Sequence, residues 1–432
     1  MTQPLWQPAD KKINASNMLS FIKQLENELG LVFKDYQQLH QWSVDQPEQF
    51  WQQIWQFSDI RSSQLADQVL TDADKFPGAK WFKGARLNYA ENALRNRSDK
   101  TALISRLENG SRSTLSYAEL YQQVAEYAAA LRQSGVNRGD RVAGFIPNIP
   151  ETVVAMLATA SIGAIWSSCS PDFGINGVMD RFGQIEPKVL FCCEGYFYNG
   201  KTIDCMPRLQ EIASKITSIE KMVVVPVSNQ QPAIDQIASA ILYSGFLISE
   251  NTPELVFEQL PFDHPLYIMY SSGTTGVPKC IVHSAGGTLI QHLKEQQLHT
   301  DLHAEDVLFY FTTCGWMMWN WLVSGLASEA TLVLYDGSPF YPQPASLIDM
   351  AEQEQVSIFG TSAKYIAALE KACVVPRKTH NLENLKTLLS TGSPLSHESF
   401  NYVYRDVKTD ICLASISGGT DILSCFVLGN PC

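Results

Sequence analysis

The chain has 432 residues, 45% hydrophobic and 18% charged, and a formal net charge of −12. That length exceeds one simple core and calls for two or three globular units, and the composition excludes a disordered chain. The acidic balance argues against a nucleic-acid partner, whose phosphates need a basic face, but not against a nucleotide held by a local glycine-rich loop.

Residues 1–12 show neither an apolar run nor a small-residue cleavage pattern, so no signal peptide is expected. The first hundred residues read as a helical arm rich in Trp, Gln and Phe, and the aromatics of 36–57 suit packing on a main body. An alternating α/β pattern then begins. Ser116 and Glu119 form a capping box ahead of a helical face of Leu120, Val124, Ala128 and Leu131, which Gly135 ends. Strands are expected at 141–146, 164–168 and 188–193, with helices at 151–163 and 174–185 between them. The longest uncharged run, 152–171, is interrupted by Thr159, Ser161, Gly163, Ser167 and Ser168, and reads as globular core without membrane insertion. Later strands are expected at 221–225, 267–270, 307–311, 331–335, 356–360 and 385–390. Apolar strands alternating with helices imply parallel pairing and right-handed crossovers. The expected division is an arm (1–100), a first α/β subdomain (101–245) and a second one (246–432). Ten cysteines lack CxxC or metal spacing, and Cys192-Cys193 lies in an apolar run, which suits a reduced, cytoplasmic protein without structural zinc.

The strongest local signal is Tyr270-Ser271-Ser272-Gly273-Thr274-Thr275-Gly276-Val277-Pro278-Lys279. Glycines admit close backbone approach, hydroxyls and amides surround phosphate oxygens, and Lys279 adds a positive charge. GxxxxGK[ST] does not fit, which removes support from kinase and GTPase readings.

This run resembles the phosphate loop of the adenylate-forming superfamily, which includes acyl-CoA synthetases. Two later segments agree in order. Gly392-Ser393-Pro394 resembles the turn along adenine. Ser417-Gly418-Gly419-Thr420-Asp421 resembles the motif whose hydroxyl, here Thr420, meets the α-phosphate and whose acid holds Mg2+. Most relatives carry Glu where Asp421 stands. Upstream, Lys80-Trp81-Phe82, Leu87-Asn88, Arg138-Gly139-Asp140-Arg141-Val142 and Pro147-Asn148-Ile149-Pro150-Glu151 look like the acetyl-CoA-synthetase branch, as does Trp42-Ser43-Val44 with the 47–51 segment. The resemblance implies a fold of two packed α/β subdomains. It also implies ATP with Mg2+ as cofactors, and capture of an acyl-adenylate by coenzyme A.

The segment Cys314-Gly315-Trp316-Met317-Met318-Trp319-Asn320-Trp321 resembles the acetoacetate-activating members of that branch. The resemblance puts Trp316, Met317, Thr391 and Gly418 in the acyl pocket. Acetate-specific relatives carry tryptophan where Gly418 stands, so its absence leaves room for a longer acid, and a propionyl or medium-chain substrate stays open beside acetoacetate. Asn320 is a candidate donor to a 3-keto oxygen, or a cap near a helix start. Lys201 is the one charge match for the coenzyme A phosphates, or else an ordinary exposed surface lysine, and His283 is expected to make a structural hydrogen bond. Family members continue past Asp421 with a ribose-binding Asp, a hinge and a mobile C-terminal domain that brings a lysine to the α-phosphate. These parts are not among the 432 residues, so little or no ligase activity is expected of the chain as it stands, and a non-catalytic nucleotide-binding remnant stays open beside the enzyme reading.

Overall fold

The computed structural model describes residues 4–247, 254–271 and 276–432. Short apolar runs such as Val189–Cys193, buried at every position, can be satisfied only with a neighbour on each edge and a layer on each face. They assemble into two seven-stranded sheets. One runs, edge to edge, through Ala240–Leu242, Lys221–Val225, Val189–Cys193, Arg141–Phe145, Ile165–Cys169, Pro265–Tyr270 and Cys280–Ser284. The other runs through Cys412–Ser415, Thr387–Thr391, Ile358–Ser362, Val307–Tyr310, Thr331–Asp336, Thr101–Leu107 and Arg112–Ser116. In both, every pairing is parallel except the last, where Cys280–Ser284 and Arg112–Ser116 close an edge antiparallel.

The sheets do not divide at residues 245/246. The hairpin 101–116 joins the second sheet, and 265–284 returns to the first. Strand identity comes from local hydrophobicity, whereas the choice of partner is a long-range packing decision that periodicity does not carry.

The capping box closes as the sequence predicts: Glu119 N donates to Ser116 Oγ at 3.2 Å and Ser116 N to Glu119 Oε2 at 2.7 Å. The helix spans Tyr117–Gln133, and Gly135 follows it at φ +76°. The arm is helical over Asn17–Leu29, Tyr36–Asp45 and Pro47–Phe57, but Gln68–Thr71 and Lys80–Lys83 pair as a short ribbon, so it is not helical throughout. Its aromatics dock on the body: Trp55 stacks on Phe82 at 4.7 Å between centroids, and Phe82 meets Phe262 at 4.9 Å. Among the described residues no helix is long and apolar enough to cross a membrane.

Close approach of adjacent strands has a glycine requirement at Gly360. A Cβ there would lie 2.1 Å from Tyr310 Cδ2. Gly360→Ala is expected to destabilise the fold by about 2 kcal/mol, read as a lower denaturant midpoint with an unchanged slope.

Candidate functional site

In the second sheet the chain lays Thr331–Asp336 on one side of Val307–Tyr310 and Ile358–Ser362 on the other. Such a reversal leaves a crevice at the carboxyl ends of the strands, the usual ligand position in an open parallel sheet. A cavity of about 480 Å3 lies there, walled by Tyr310, Thr312, Asp336, Thr361, Ser362 and Thr391. Ser170 and Asp172, just past a strand of the first sheet, face it as well. A hairpin of Gly195–Tyr198 and Lys201–Asp204 contributes Tyr196 and Tyr198. Glu108 fixes the hairpin tip by accepting from Asn199 N at 2.8 Å and Gly200 N at 2.6 Å. Lys201 stands exposed on this hairpin and lines no described cavity.

Asp336 is the residue here that sequence reasoning missed. Burial, with added repulsion from Asp172 and Glu108, raises its carboxyl to about 7 against the hydrogen bond it accepts from Asn148 N at 2.9 Å. An acid at a strand end looks like a solvated turn in the sequence, and nothing local marks it as enclosed.

A second cavity, of about 420 Å3, brings together segments far apart in the chain. Its walls include Trp316, Met317 and Met318 at the start of the Met317–Ser324 helix, then Thr391, Gly392, Ser393 and Pro394, and Ser417, Gly418, Gly419 and Thr420. Trp316, Met318, Thr391 and Gly392 also border the first cavity, so the two share a wall. Gly392 turns the chain out of the Thr387–Thr391 strand at φ +88°, a conformation that costs a side-chain-bearing residue strain. Gly418 is glycine for another reason. It pairs with Cys425 across a tight hairpin, and a Cβ would sit 2.2 Å from Ser424 O. The volume expected to be left open by a missing side chain is, on that side, filled by the returning strand.

Asn320 is buried away from these walls. It borders a space of about 10 Å3, too small for an acid, so the structure does not place it as a donor in the second cavity.

Of the glycine-rich run, Ser272, Gly273, Thr274 and Thr275 lie outside the described residues. Its ends meet: Ser271 N donates to Lys279 O at 3.0 Å, and Lys279 N to Ser271 Oγ at 2.9 Å. Lys279 and Gly276 are exposed, and Gln184 holds the Pro278 carbonyl at 2.9 Å. His283, on the strand that follows, makes its structural hydrogen bond to Thr420 O at 2.7 Å. The carbonyl only accepts, so Nε2 carries the proton; burial lowers the imidazole's pKa and favours this neutral form. Asp421 is exposed beside it. Among the described residues no three His, Cys, Asp or Glu side chains cluster as a protein-only metal site would require.

A family model described as AMP-binding enzyme matches residues 90–419, and one described as acetyl-coenzyme A synthetase N-terminus matches 36–93. The chain is 50% identical over 430 residues to the acetoacetyl-coenzyme A synthetase of Rhizobium meliloti (strain 1021), covering 99% of this chain and 66% of the relative. It is 49% identical over 438 residues to the acetoacetyl-CoA synthetase of Gallus gallus, covering 99% of this chain and 65% of that one. The solved acetoacetyl-CoA synthetase from Streptomyces lividans superposes with a TM-score of 0.94 at 42% identity, over 100% of this chain and 67% of the other. The chain thus spans about two thirds of the length of the relatives it matches.

Two outcomes follow from the geometry. Asp336 keeps its proton to about 7 when folded but only to about 3.8 when unfolded, so its contribution is full below the unfolded value and is lost as pH rises through 7. Asp336→Asn is therefore expected to gain about 1 kcal/mol over the parent at pH 8 and nothing at pH 3.5, measured by denaturant melts at both. Gly418→Ala should speed amide exchange across residues 417–427 by about tenfold while leaving the two large sheets protected.

Proposed function

Because the chain belongs to the AMP-binding enzyme family, we propose that it carries the nucleotide and acyl sites of an acetoacetate–CoA ligase. The overall reaction converts ATP, acetoacetate and coenzyme A to acetoacetyl-CoA, AMP and pyrophosphate. The observation that carries this reading is the second cavity, where the Gly392 turn, the Thr420 turn and the Trp316 helix start face one another.

In the first step a carboxylate oxygen of acetoacetate attacks the α-phosphorus, the bond to the β-phosphate bridging oxygen breaks, and pyrophosphate leaves. The Gly392–Pro394 turn lies along adenine. The Thr420 hydroxyl donates to the α-phosphate, while Ser271, Gly276 and Lys279, with the residues between them, hold the departing phosphates. Asp421 would hold Mg2+, which would neutralise phosphate charge. Trp316, Met317 and Thr391 wall the acyl tail, with Gly418 behind it.

In the second step the thiol of coenzyme A approaches through the first cavity, on the other side of the shared wall. Its sulfur attacks the acyl carbon, the bond to the AMP oxygen breaks, and the thiol proton passes to solvent. Lys201, on the hairpin above, meets the phosphates of the coenzyme A nucleotide.

Stable acyl-sulfamoyl adenosines mimic the adenylate without requiring turnover. With acetoacetyl, acetyl, propionyl and hexanoyl chains compared by calorimetry, the acetoacetyl compound is expected to bind tightest, by about tenfold over hexanoyl. Tightest binding of hexanoyl would move the assignment to a medium-chain acid. No binding of any of the four would remove the adenylate site altogether.

A further inference from the structure

One stretch of chain touches the Thr420 hairpin again and again. His283 reaches Thr420 O at 2.7 Å, His292 reaches Leu423 O at 2.7 Å, and Glu295 accepts from Ser424 Oγ at 2.5 Å and Cys425 N at 2.9 Å. His292 and Glu295 sit three apart, on the Ala285–Lys294 helix and the π-helical turn Glu295–His299 that continues it. That spacing puts them on one face, and the hairpin is laid along it.

We propose that Glu295, with His292 and His283, is a positioning residue that fixes the Thr420–Asp421 turn against both the phosphate-loop strand and the acyl-side helix. The inference rests on the nucleotide reading above.

Glu295 has no solvent exposure, and the hydrogen-bonding groups that face it all donate. Oε1 takes Ser424 Oγ, Cys425 N and Gln291 Nε2 (2.9 Å), while Oε2 takes Trp321 Nε1 at 3.0 Å. Lys294 Nζ adds a positive charge at 4.0 Å. Burying a carboxylate is costly, and an apolar contact would bind hairpin to helix at least as firmly. What the carboxylate adds is direction. Its two oxygens join three elements at one point: the hairpin, the Met317–Ser324 helix that starts at Trp316, and the helix that follows the Cys280–Ser284 strand. Each of these elements carries or adjoins one wall of the proposed site.

His292 is set the same way. Leu423 offers only a carbonyl, so Nε2 carries the proton, and Nδ1 accepts from Ser324 Oγ at 2.7 Å. Tyr89 OH lies 2.6 Å from that serine and supplies the next donor. Burial disfavours the charged imidazole, which keeps this single orientation. Glu295 and His292 border neither shared-wall cavity, so their influence on a ligand passes through the hairpin.

The test compares Glu295→Gln, His292→Phe and His292→Gln in the full 432-residue chain. The probe is the acetoacetyl-sulfamoyl adenosine with Mg2+, well below each protein's melting point, with the melting point read on the same samples. In Glu295→Gln the amide nitrogen must face at least one donor, so binding is expected to weaken about tenfold. His292→Phe should weaken it similarly, and His292→Gln, which keeps a donor for Leu423 O, should recover most of the loss. Lower melting points with unchanged affinity in Glu295→Gln and His292→Phe would make these residues structural only and overturn the proposal. Equal losses in His292→Gln and His292→Phe would overturn the role of the Leu423 hydrogen bond. If the unaltered chain fails to bind, the nucleotide reading falls and this inference falls with it; if it binds and the variants match it, only the positioning role falls.

Discussion

The two sheets are joined at Asn148, and the geometry of everything above them depends on that junction. Its backbone N donates to Asp336 Oδ2 at 2.9 Å, its Nδ2 faces Tyr335 O at 3.4 Å, and its Oδ1 accepts from Trp319 Nε1 at 2.9 Å. The side chain is wholly buried, so an unmade hydrogen bond there would go uncompensated by water. One amide thereby ties the end of a first-sheet strand to the end of a second-sheet strand and to the helix that begins at Trp316. Nearby, Ser168 Oγ donates to Cys314 O at 2.6 Å, drawing the segment ahead of that helix onto the first sheet. Because the cavity-lining residues sit at strand ends, a small rotation of one sheet against the other would separate them, and these hydrogen bonds oppose it.

Much of the fold was legible because it is written locally. The 221–225 strand reads off its β-branched run, and the Tyr117 helix off Ser116 and Glu119. What escaped is polar or distant. Arg112–Ser116 and Cys280–Ser284 are edge strands with water on one side, so neither shows the apolar run that marks a central strand. Pro265–Tyr270 pairs with Trp166, about a hundred residues earlier, and no property of either segment names the other. The site divides in the same way. The Gly392 turn and the Thr420 turn stand out through their resemblance to motifs of the adenylate-forming superfamily. Asp336, Glu295 and His292 acquire their significance only from what folding places against them.

Gly418 shows why a missing side chain cannot be equated with empty space. Set beside acetate-specific relatives with tryptophan there, the glycine implies a cavity enlarged by the volume of an indole. In the fold the same position is where two strands of a hairpin come too close for any Cβ. Beside it, the bulkier walls of the second cavity are Trp316, Met317, Met318 and Thr391. The glycine serves instead to let Ser424 and Cys425 come back over it, toward the carboxylate of Glu295.

The shared wall between the two cavities has a chemical consequence on the proposed reading. Acyl transfer from an adenylate to a thiol needs the nucleophile to reach the carbonyl carbon from a face that the nucleotide does not cover. A single closed pocket would oblige one partner to leave before the other arrived, exposing the adenylate to water. Two cavities of about 420 and 480 Å3, meeting at Trp316, Met318, Thr391 and Gly392, allow the nucleotide side to stay filled while the thiol side is loaded. Trp316 is 64% exposed and starts a helix whose next turns are buried. On that reading the shared wall is made by Thr391 and Gly392, which leave a sheet strand, and by the exposed indole of Trp316.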